Sequence, residues 1–521
     1  MTLNQYTFEE LSKIGRAAWK HNEWKTLKTI TEQMRTRQQN NPETEFLSGL
    51  ATKYLESQSN AIPFFREALK IDAERYDAAI ELAAAYFSEG NHRQAFELLE
   101  RYQQSLANSP IFLNMAATIY VGLGFPDRGF SLYQSANLLQ PEISIFKANL
   151  AASAIFVGEN ALAIKLYNEL LELEPGNQRH LYQLSRLSNA KDDRLARMIE
   201  ALLETNSAKP SENIYAYYAL AKQYEDLMEW EKAFHFFELG GKAVESTSDY
   251  SVDEDIEILE QAERNTSSAP KELPLSQARP TESSPIFIIG LPRTGTTLLE
   301  QMLAAHSQIE TLGETNNIET AILQLTGNDG GRMSAEILKE SLLINPKVLR
   351  SEYLDAVSFR VEGQPFFIDK MPLNFQYLNL ILNAFPEARI ILVHRDPLDA
   401  CVAMFKQLFT WTYRFSYSLE NLKLYHRAYS RLIAHWKGLF GKQIIEISYE
   451  DIVMDTTSAI EKLSAALGIP FESQTTSFNS ENLTSMTASA IQVRETISTK
   501  SVGNWQNYES RLGPLLELKP D

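Results

Sequence analysis

The chain has 521 residues, of which 44% are apolar and 22% charged, and its formal net charge at pH 7 is −18. This length exceeds what one hydrophobic core organises, so we expect at least two domains. The negative charge argues against a general binder of nucleic acids or anionic membranes. Cys401 is the only cysteine, so no intramolecular disulfide can form. Because residues 1–10 carry no leader pattern and no run is long enough to span a bilayer, we expect a cytoplasmic protein.

A 34-residue period organises the first half of the chain. Gly90, Gly124 and Gly158 recur at this spacing, each between two stretches of helical periodicity. Small residues flank each glycine and larger ones close each repeat: Ala83, Ala117 and Ala151; Ala95, Gly129 and Ala163; Leu99, Tyr133 and Tyr167. Small residues let helices approach closely, and large ones fill the neighbouring groove. The pattern resembles tetratricopeptide repeats, and it predicts an all-α superhelix over residues 1–250 that binds a protein or peptide partner.

The composition changes after the repeats. Residues 265–270 and 277–285 are rich in Pro, Ser and Thr without periodicity, so we assign residues 251–284 to a linker. Residues 285–521 then alternate apolar strands with helices, which predicts a parallel α/β sheet that binds ligands at the carboxyl ends of its strands. The predicted strands are residues 286–289, 366–369, 388–394 and 443–448, with a short strand or loop near residues 310–317.

A glycine-bounded loop follows the first predicted strand. The interval from Gly290 to Gly295 is that of a Walker A loop, and Thr296 opens a helix, so backbone N–H groups and the helix dipole converge on an anion site. Walker A loops carry Lys where this chain has Thr296, and that Lys serves the β- and γ-phosphates of a nucleoside triphosphate. Here the cation, Arg293, lies inside the loop. We therefore expect a P-loop-like phosphate site, and a kinase that uses ATP with Mg²⁺ is disfavoured.

Arg395 follows a second predicted strand and offers another cation at the same sheet edge. An arginine in this position often pairs with a neighbouring carboxylate, here Asp396 or Asp399, and that alternative stays open. Together with Arg293, it suits a ligand that has two separate phosphate groups.

Residues 284–518 resemble sulfotransferases that use 3′-phosphoadenosine 5′-phosphosulfate (PAPS). Residues 292–297, Pro-Arg-Thr-Gly-Thr-Thr, are similar to the family's 5′-phosphosulfate loop, and residues 393–397, Val-His-Arg-Asp-Pro, to its 3′-phosphate motif. The resemblance implies PAPS as donor, no metal, and a pairing with a repeat array that is familiar from bacterial proteins. The implied donor-binding residues are Arg293, Thr294, Gly295, Thr296, Thr297, Arg395, Tyr449, Lys500 and Ser501. The family usually has Ser eight residues after the arginine, where this chain has Ala403.

The candidate catalytic residues resemble those of protein-tyrosine sulfotransferases. Those enzymes place a catalytic Glu seventeen residues after the last Thr of the loop, which is the position of Glu314. Lys370 matches their lysine at the leaving group, so the resemblance implies Glu314 as base, with Lys370 and Arg293 stabilising the developing charge. Without the resemblance, Glu314 is a helix-dipole partner and Lys370 a surface partner of Asp369.

The predicted function is PAPS-dependent transfer of a sulfuryl group to an acceptor hydroxyl. Peptide tyrosine, a glycan and a small molecule stay open as acceptors, and the repeats recruit the acceptor or a partner. A non-catalytic repeat scaffold with an inactive sulfotransferase-like domain is the alternative, kept open by Ala403. We expect neither nucleic-acid binding nor membrane insertion, and a homodimer is left open. His306 and Cys401 are expected to be structural.

Overall fold

The computed structural model describes residues 5–205, 209–265, 283–328, 330–409, 412–477, 484–487, 489–494 and 497–519. The chain divides into two compact units, Met1–Ser153 and Ala154–Asp521. In the described part, no helix is both long and apolar enough to cross a membrane.

Helical hairpins make up the first half of the chain. Its helices are α1 (Phe8–Lys20), α2 (Trp24–Arg37), α3 (Pro42–Leu55), α4 (Gln58–Ile71), α5 (Tyr76–Ser88), α6 (His92–Tyr102), α7 (Pro110–Gly122), α8 (Pro126–Leu139), α9 (Ser144–Val157), α10 (Asn160–Leu173), α11 (Gln178–Leu187), α12 (Arg194–Thr205), α13 (Ile214–Asp226), α14 (Trp230–Glu245) and α15 (Val252–Arg264). The repeat glycines Gly90, Gly124 and Gly158 lie in the turns after α5, α7 and α9, with φ of 76°, 88° and 89°. These left-handed conformations favour glycine, which explains the period seen in the sequence.

The small residues of the repeats allow close helix packing, as predicted. Gly49 on α3 faces Phe65 on α4, and a Cβ at Gly49 would lie 2.5 Å from Cε1 of that ring. Both Phe65 and its neighbour Phe46 are fully buried. A larger residue at position 49 would therefore push the two helices apart.

Part of the segment assigned to the linker is helical. Helix α15 buries Ile258 and Leu259 and forms ion pairs from Glu260 and Glu263 to Arg431, each at 3.0 Å. Its apolar stripe gives it a surface to pack. Residues 266–282 lie outside the described residues. The predicted domain limits at residues 250 and 285 stay a prediction.

A parallel sheet organises the second half. Its strands are β1 (Ser284–Gly290), β2 (Ile309–Thr311), β3 (Phe366–Asp369), β4 (Arg389–His394) and β5 (Ile444–Ser448), in the order β2-β3-β1-β4-β5. The helices between and after them are α16 (Thr296–Ala304), α17 (Asn317–Leu325), α18 (Ala335–Glu340), α19 (Pro346–Val357), α20 (Leu378–Ala384), α21 (Pro397–Phe405), α22 (Leu419–Phe440), α23 (Tyr449–Met454) and α24 (Thr456–Leu467). A 3-10 helix over Pro372–Tyr377 precedes α20. The predicted fold class, helical repeats followed by an α/β domain with a parallel sheet, is confirmed.

Strand β1 is buried on both faces, as its continuous apolar sequence predicts. Phe287 and Ile289 pack into a cluster that includes residues of α13, α14 and α22, whereas Ile286 and Ile288 pack against α16 and α24. Because β1 lies between β3 and β4, the residues that follow these three strands meet at one edge of the sheet.

Candidate active site

The loop after β1 has a constrained backbone. Gly290, Arg293 and Gly295 have φ of 152°, 68° and 96°. Gly295 precedes α16 with no side-chain cap, and a Cβ on it would lie 2.6 Å from Cδ2 of Tyr449. Arg293 in the left-handed region costs about 1–3 kcal/mol, which is typical of functional loops. The loop thus brings Tyr449 and the uncapped start of α16 close together, as an anion site requires.

Arg395 is joined to this loop. Its Nη1 donates to the carbonyl oxygen of Arg293 at 3.0 Å, its Nη2 donates to the carbonyl oxygen of Ser501, and its guanidinium carbon lies 4.6 Å from the centre of the Tyr449 ring. The alternative partners Asp396 and Asp399 are engaged elsewhere, although the charge of Arg395 opposes the burial that raises the pKa of Asp399. Asp396 accepts the first N–H groups of α21. Asp399 accepts the backbone N–H groups of Gly503 and Trp505.

The two arginines form a concentrated positive region. Burial, with the charges of Arg395 and Arg186, lowers the pKa of Arg293 to about 10. The Nε atoms of Arg293 and Arg395 are buried and have no hydrogen-bond partner. Since buried donors are normally satisfied, these two Nε–H groups are suited to an anionic ligand.

A cavity of about 470 Å³ collects most of the predicted donor-binding residues. Its lining includes Arg293, Gly295, Thr296, Thr297, Arg395, Tyr449, Lys500 and Ser501. Thr294 is the exception, because it is buried and its hydroxyl donates to the Leu291 carbonyl at 2.7 Å. It shapes the loop rather than facing the cavity. Ala403 also lines the cavity.

Lys370 and Glu314 come together, although Glu314 follows β2 and Lys370 follows β3. Lys370 is fully buried and pairs with Glu314 Oε1 and, at 3.5 Å, with Glu300 Oε2. Burial alone would lower the pKa of Lys370, but the two carboxylates outweigh it and raise that pKa. The Glu314 side chain is 38% exposed, so it remains accessible. Neither residue is among those that line the cavity described above.

Sequence reasoning missed Glu300. It is buried on α16 one turn after Thr296, accepts the Thr311 hydroxyl at 2.6 Å, and has a pKa raised chiefly by burial. In the sequence, the one charged residue of the mostly apolar helix α16 was the feature that could have revealed it. The alternative pairing of Lys370 with Asp369 is wrong, since consecutive residues leaving a strand point to opposite faces.

Asp369 holds the residues around Glu314 and Lys370 in place. It is fully buried and accepts the hydroxyls of Thr315 and Tyr353, each at 2.8 Å, and the amide of Asn374 at 3.2 Å. Burial raises its pKa to about 6. Thr315, which follows Glu314, and Asp369, which precedes Lys370, are thereby held in place.

Described parts of residues 484–494 also touch the loop. Arg293 donates to the Ser489 hydroxyl and the Gln492 amide oxygen, and Thr297 donates to the Thr487 hydroxyl at 3.3 Å. Arg494 donates to the carbonyl of Ile155 at 2.7 Å. The contacts of Arg293 and Thr297 use donor groups that an anion at the loop would otherwise take.

The remaining candidates have structural surroundings. His306 is buried, its Nε2 lies 2.9 Å from the Pro470 carbonyl oxygen, and its Nδ1 accepts the Gln308 N–H. Burial raises the pKa of the Cys401 thiol, which suits a core residue. In the described ranges, no three His, Cys, Asp or Glu side chains cluster as a metal site would require.

Two family models match this chain. Residues 285–473 match the model described as the sulfotransferase family, and residues 59–119 match a tetratricopeptide-repeat model. The predicted resemblance to these two families is therefore confirmed: the repeat match precedes the sulfotransferase match along the chain.

Similar proteins come from bacteria and animals. An uncharacterized protein of Aquifex aeolicus (strain VF5) is 27% identical over 402 residues, which are 74% of this chain and 52% of that protein. Protein-tyrosine sulfotransferase 1 of Danio rerio is 26% identical over 196 residues, 36% of this chain and 53% of that protein. The sulfotransferase domain of the Synechococcus PCC 7002 olefin synthase is 19% identical, with 46% of this chain and 94% of that domain covered and a TM-score of 0.34. The chain thus spans about half the length of the Aquifex aeolicus and Danio rerio proteins.

Proposed function

We propose that this chain is a sulfotransferase that takes its sulfuryl group from PAPS and transfers it to a hydroxyl, with peptide tyrosine as the favoured acceptor. One observation carries the proposal. Arg293 and Arg395, which follow different strands, line a single cavity together with Tyr449 and Lys500. A nucleotide with separated 5′ and 3′ anionic groups matches cations placed in this way.

The cavity fits such a nucleotide in size and chemistry. Its volume of about 470 Å³ lies in the range of small-molecule sites. Arg293 and the start of α16 would hold the 5′-phosphosulfate, and Arg395 beside Ser501 would hold the 3′-phosphate. The partnerless buried Nε atoms of the two arginines supply donors for these groups.

Glu314 is proposed as the general base. The acceptor oxygen attacks sulfur while its proton passes to the Glu314 carboxylate, so that a new S–O bond forms. The bond between sulfur and the bridging oxygen of the 5′-phosphate breaks, and its electron pair stays on that oxygen. Such in-line transfer depends mainly on positioning and on cations near the leaving oxygen.

Arg293 and Lys370 are proposed to stabilise the leaving oxygen. Lys370 is already held by Glu300 and Glu314, so it is oriented before substrate binds. When Glu314 takes a proton, it loses its negative charge and its hold on Lys370 weakens. The freed positive charge of Lys370 then becomes available as negative charge develops on the leaving group.

The acceptor and the role of the repeats are inferred from relatives. The Danio rerio protein is named a protein-tyrosine sulfotransferase, and the spacing of Glu314 from the loop resembles that of the base in that family. Tyrosine has an ordinary pKa of about 10, so its hydroxyl needs a base at neutral pH. We propose that the repeats recruit the acceptor or a partner protein.

A catalytically inactive scaffold is the second candidate. It is favoured by Ala403 in place of the family's serine and by the contacts of Arg293 with Ser489 and Gln492. Titration calorimetry with adenosine 3′,5′-bisphosphate in excess EDTA separates the two. Metal-independent binding supports the sulfotransferase, whereas no binding contradicts it and favours the scaffold.

The acceptor requires a transfer assay. Radiolabelled PAPS would be incubated with tyrosine peptides, glycans and phenols, and labelled products counted. Labelling of tyrosine peptides with no labelling of phenylalanine counterparts is the expected result. Labelling of glycans alone would overturn the tyrosine assignment and leave the donor assignment intact.

A further inference from the structure

A C-terminal segment, residues 499–505, lies along one side of the donor cavity. Lys500, Ser501 and Asn504 belong to the cavity lining, and Lys500 is exposed. Residues 499–501 form a single 3-10 turn, and a second 3-10 helix begins at Asn504. Because a single turn has few hydrogen bonds of its own, contacts from other elements determine where Lys500 lies.

Asp399 on α21 supplies two of these contacts. It is buried, and its carboxylate accepts the backbone N–H of Gly503 at 2.6 Å and that of Trp505 at 3.0 Å. Both N–H groups lie at the start of the 3-10 helix Asn504–Arg511, where backbone donors lack partners within the helix. Asp399 therefore caps this helix from a different element of the fold.

Arg395 holds the same segment at its other end. Its Nη2 donates to the carbonyl oxygen of Ser501. Arg395 directly follows β4, and Asp399 lies in the first turn of α21. One short stretch of chain thus binds three backbone groups of residues 501–505. Lys500, which directly precedes Ser501, is thereby placed on the side of the cavity where Arg395 lies.

The charge of Asp399 does not suit a ligand contact. Asp399 is among the residues that line the cavity. A carboxylate close to a phosphate repels it, so this charge by itself opposes the binding of an anionic nucleotide. Its two oxygens accept backbone N–H groups of the C-terminal segment instead. The contacts of Asp399 are therefore directed to the segment.

We propose that Asp399 is a positioning residue of the donor site, which holds residues 501–505 so that Lys500 reaches the 3′-phosphate beside Arg395. This inference rests on the proposed function. It adds a residue that is absent from the donor-binding set implied by the family resemblance. Asp399 acts through Lys500 and does not itself touch the nucleotide.

The rest of the C-terminal region is anchored without Asp399. Tyr508 donates its hydroxyl to Glu225 on α13 at 2.8 Å, and Arg511 pairs with Glu238 on α14 at 2.9 Å. Leu515 is fully buried. Loss of Asp399 should therefore release the segment around Lys500 while the later residues stay packed.

The test compares Asp399→Ala and Asp399→Asn with wild type in the intact chain by titration calorimetry. The probes are adenosine 3′,5′-bisphosphate, adenosine 3′-monophosphate and adenosine 5′-monophosphate. Asp399→Ala should weaken the two probes that have a 3′-phosphate about tenfold, because Lys500 is no longer held near that group. Asp399→Asn should lose severalfold, since its amide keeps one acceptor oxygen and replaces the other with a donor. Adenosine 5′-monophosphate should bind all three proteins equally.

The matched control is Asp451→Asn. Asp451 is an exposed aspartate on α23 and lies outside the cavity lining. This variant loses one negative charge without a contact to the C-terminal segment, so its affinities for the three probes should equal those of wild type.

The direction of the change separates positioning from simple charge. Loss of a negative charge in the cavity would by itself strengthen phosphate binding. An unchanged or higher affinity of Asp399→Ala for the 3′-phosphate probes therefore overturns the inference and leaves the sulfotransferase proposal intact. Equal losses for all three probes also overturn it, because they show a general disturbance of the cavity.

A double variant tests whether Asp399 acts through Lys500. In the background of Lys500→Ala, Asp399→Ala should cost little further affinity for adenosine 3′,5′-bisphosphate, because residues that act as a unit are not additive. An undiminished loss in that background overturns the action through Lys500.

Hydrogen exchange without nucleotide provides a second measurement. Peptides that cover residues 499–511 should exchange their amides faster in Asp399→Ala than in wild type, whereas peptides of α22 should exchange equally. Unchanged exchange in residues 499–511 overturns the inference whether or not a nucleotide binds. Failure of wild type to bind adenosine 3′,5′-bisphosphate contradicts the proposed function itself, and with it the donor role of Asp399. If Asp399→Ala does not fold, Asp399→Asn carries both measurements.

Discussion

The Nη1 atom of Arg395 donates a hydrogen bond to the carbonyl oxygen of Arg293 at 3.0 Å. The two residues are far apart in sequence and follow different strands, β4 and β1. This bond fixes the position of the loop whose backbone is strained at Arg293, and it couples the two proposed phosphate sites. Loss of one arginine should therefore disturb the other.

Replacement of Arg395 tests this coupling. Arg395→Ala should weaken adenosine 3′,5′-bisphosphate about 10- to 100-fold in calorimetry, because it removes a phosphate ligand and a support of the loop. Arg395→Lys keeps the charge without the bidentate geometry and should give an intermediate affinity. Arg389→Ala is the control, since Arg389 begins the same strand at the opposite sheet edge. An unchanged affinity in Arg395→Ala would refute the 3′-phosphate assignment.

Glu314→Gln tests the general base. The rate of sulfuryl transfer should fall about 10²-fold or more, because the amide cannot accept the proton. The affinity for adenosine 3′,5′-bisphosphate should change little, since Glu314 does not line the cavity. Full turnover in this variant would exclude Glu314 as base. Glu336→Gln, an exposed glutamate on α18, serves as a control for the loss of one negative charge.

Asp369 should make stability depend on pH. Burial raises its folded-state pKa to about 6, above the value in an unfolded chain. The folded state thus binds more protons between about pH 4 and pH 6, and the contribution of this group to stability falls as the pH rises through that range. The loss is on the order of 2–3 kcal/mol at most.

Comparison with Asp369→Asn isolates this effect. The variant should be less stable than wild type at pH 5, because it disturbs the bonds from Tyr353 and Thr315. The difference in free energy of unfolding should shrink from pH 5 to pH 7.5. A difference that stays constant in denaturant titrations at both pH values would show that Asp369 does not titrate as inferred.

Two glycines test the attachment of α14 to the α/β domain. A Cβ at Gly241 would overlap the Tyr417 carbonyl oxygen, so Gly241→Ala should lose about 1–3 kcal/mol of stability. Gly438 on α22 has no atom within 4 Å of such a Cβ and is exposed, so Gly438→Ala should gain about 0.5–1 kcal/mol. Thermal unfolding measures both. Equal effects of the two substitutions would mean that α14 does not pack closely on this domain.

Local chemistry was readable from the sequence. The glycine turns of the repeats, the buried strands and the loop from Gly290 to Gly295 each depend on residues near one another in the chain. Glycine is favoured where φ is positive, and a strand covered on both faces is apolar throughout. The fold class and the two cationic strand ends followed from these local rules.

Only the tertiary structure decided which distant groups meet. Glu300 joins Lys370 and Glu314 because β2 and β3 end, and the helix after β1 begins, at one sheet edge. Helices α11, α13 and α14 contribute residues to the same cavity as Arg293 and Arg395. Periodicity does not encode such contacts, since many partners satisfy the same apolar pattern. The loop and its motifs were therefore predictable from sequence, whereas the carboxylate that shares Lys370 and the repeat-helix wall of the cavity were not.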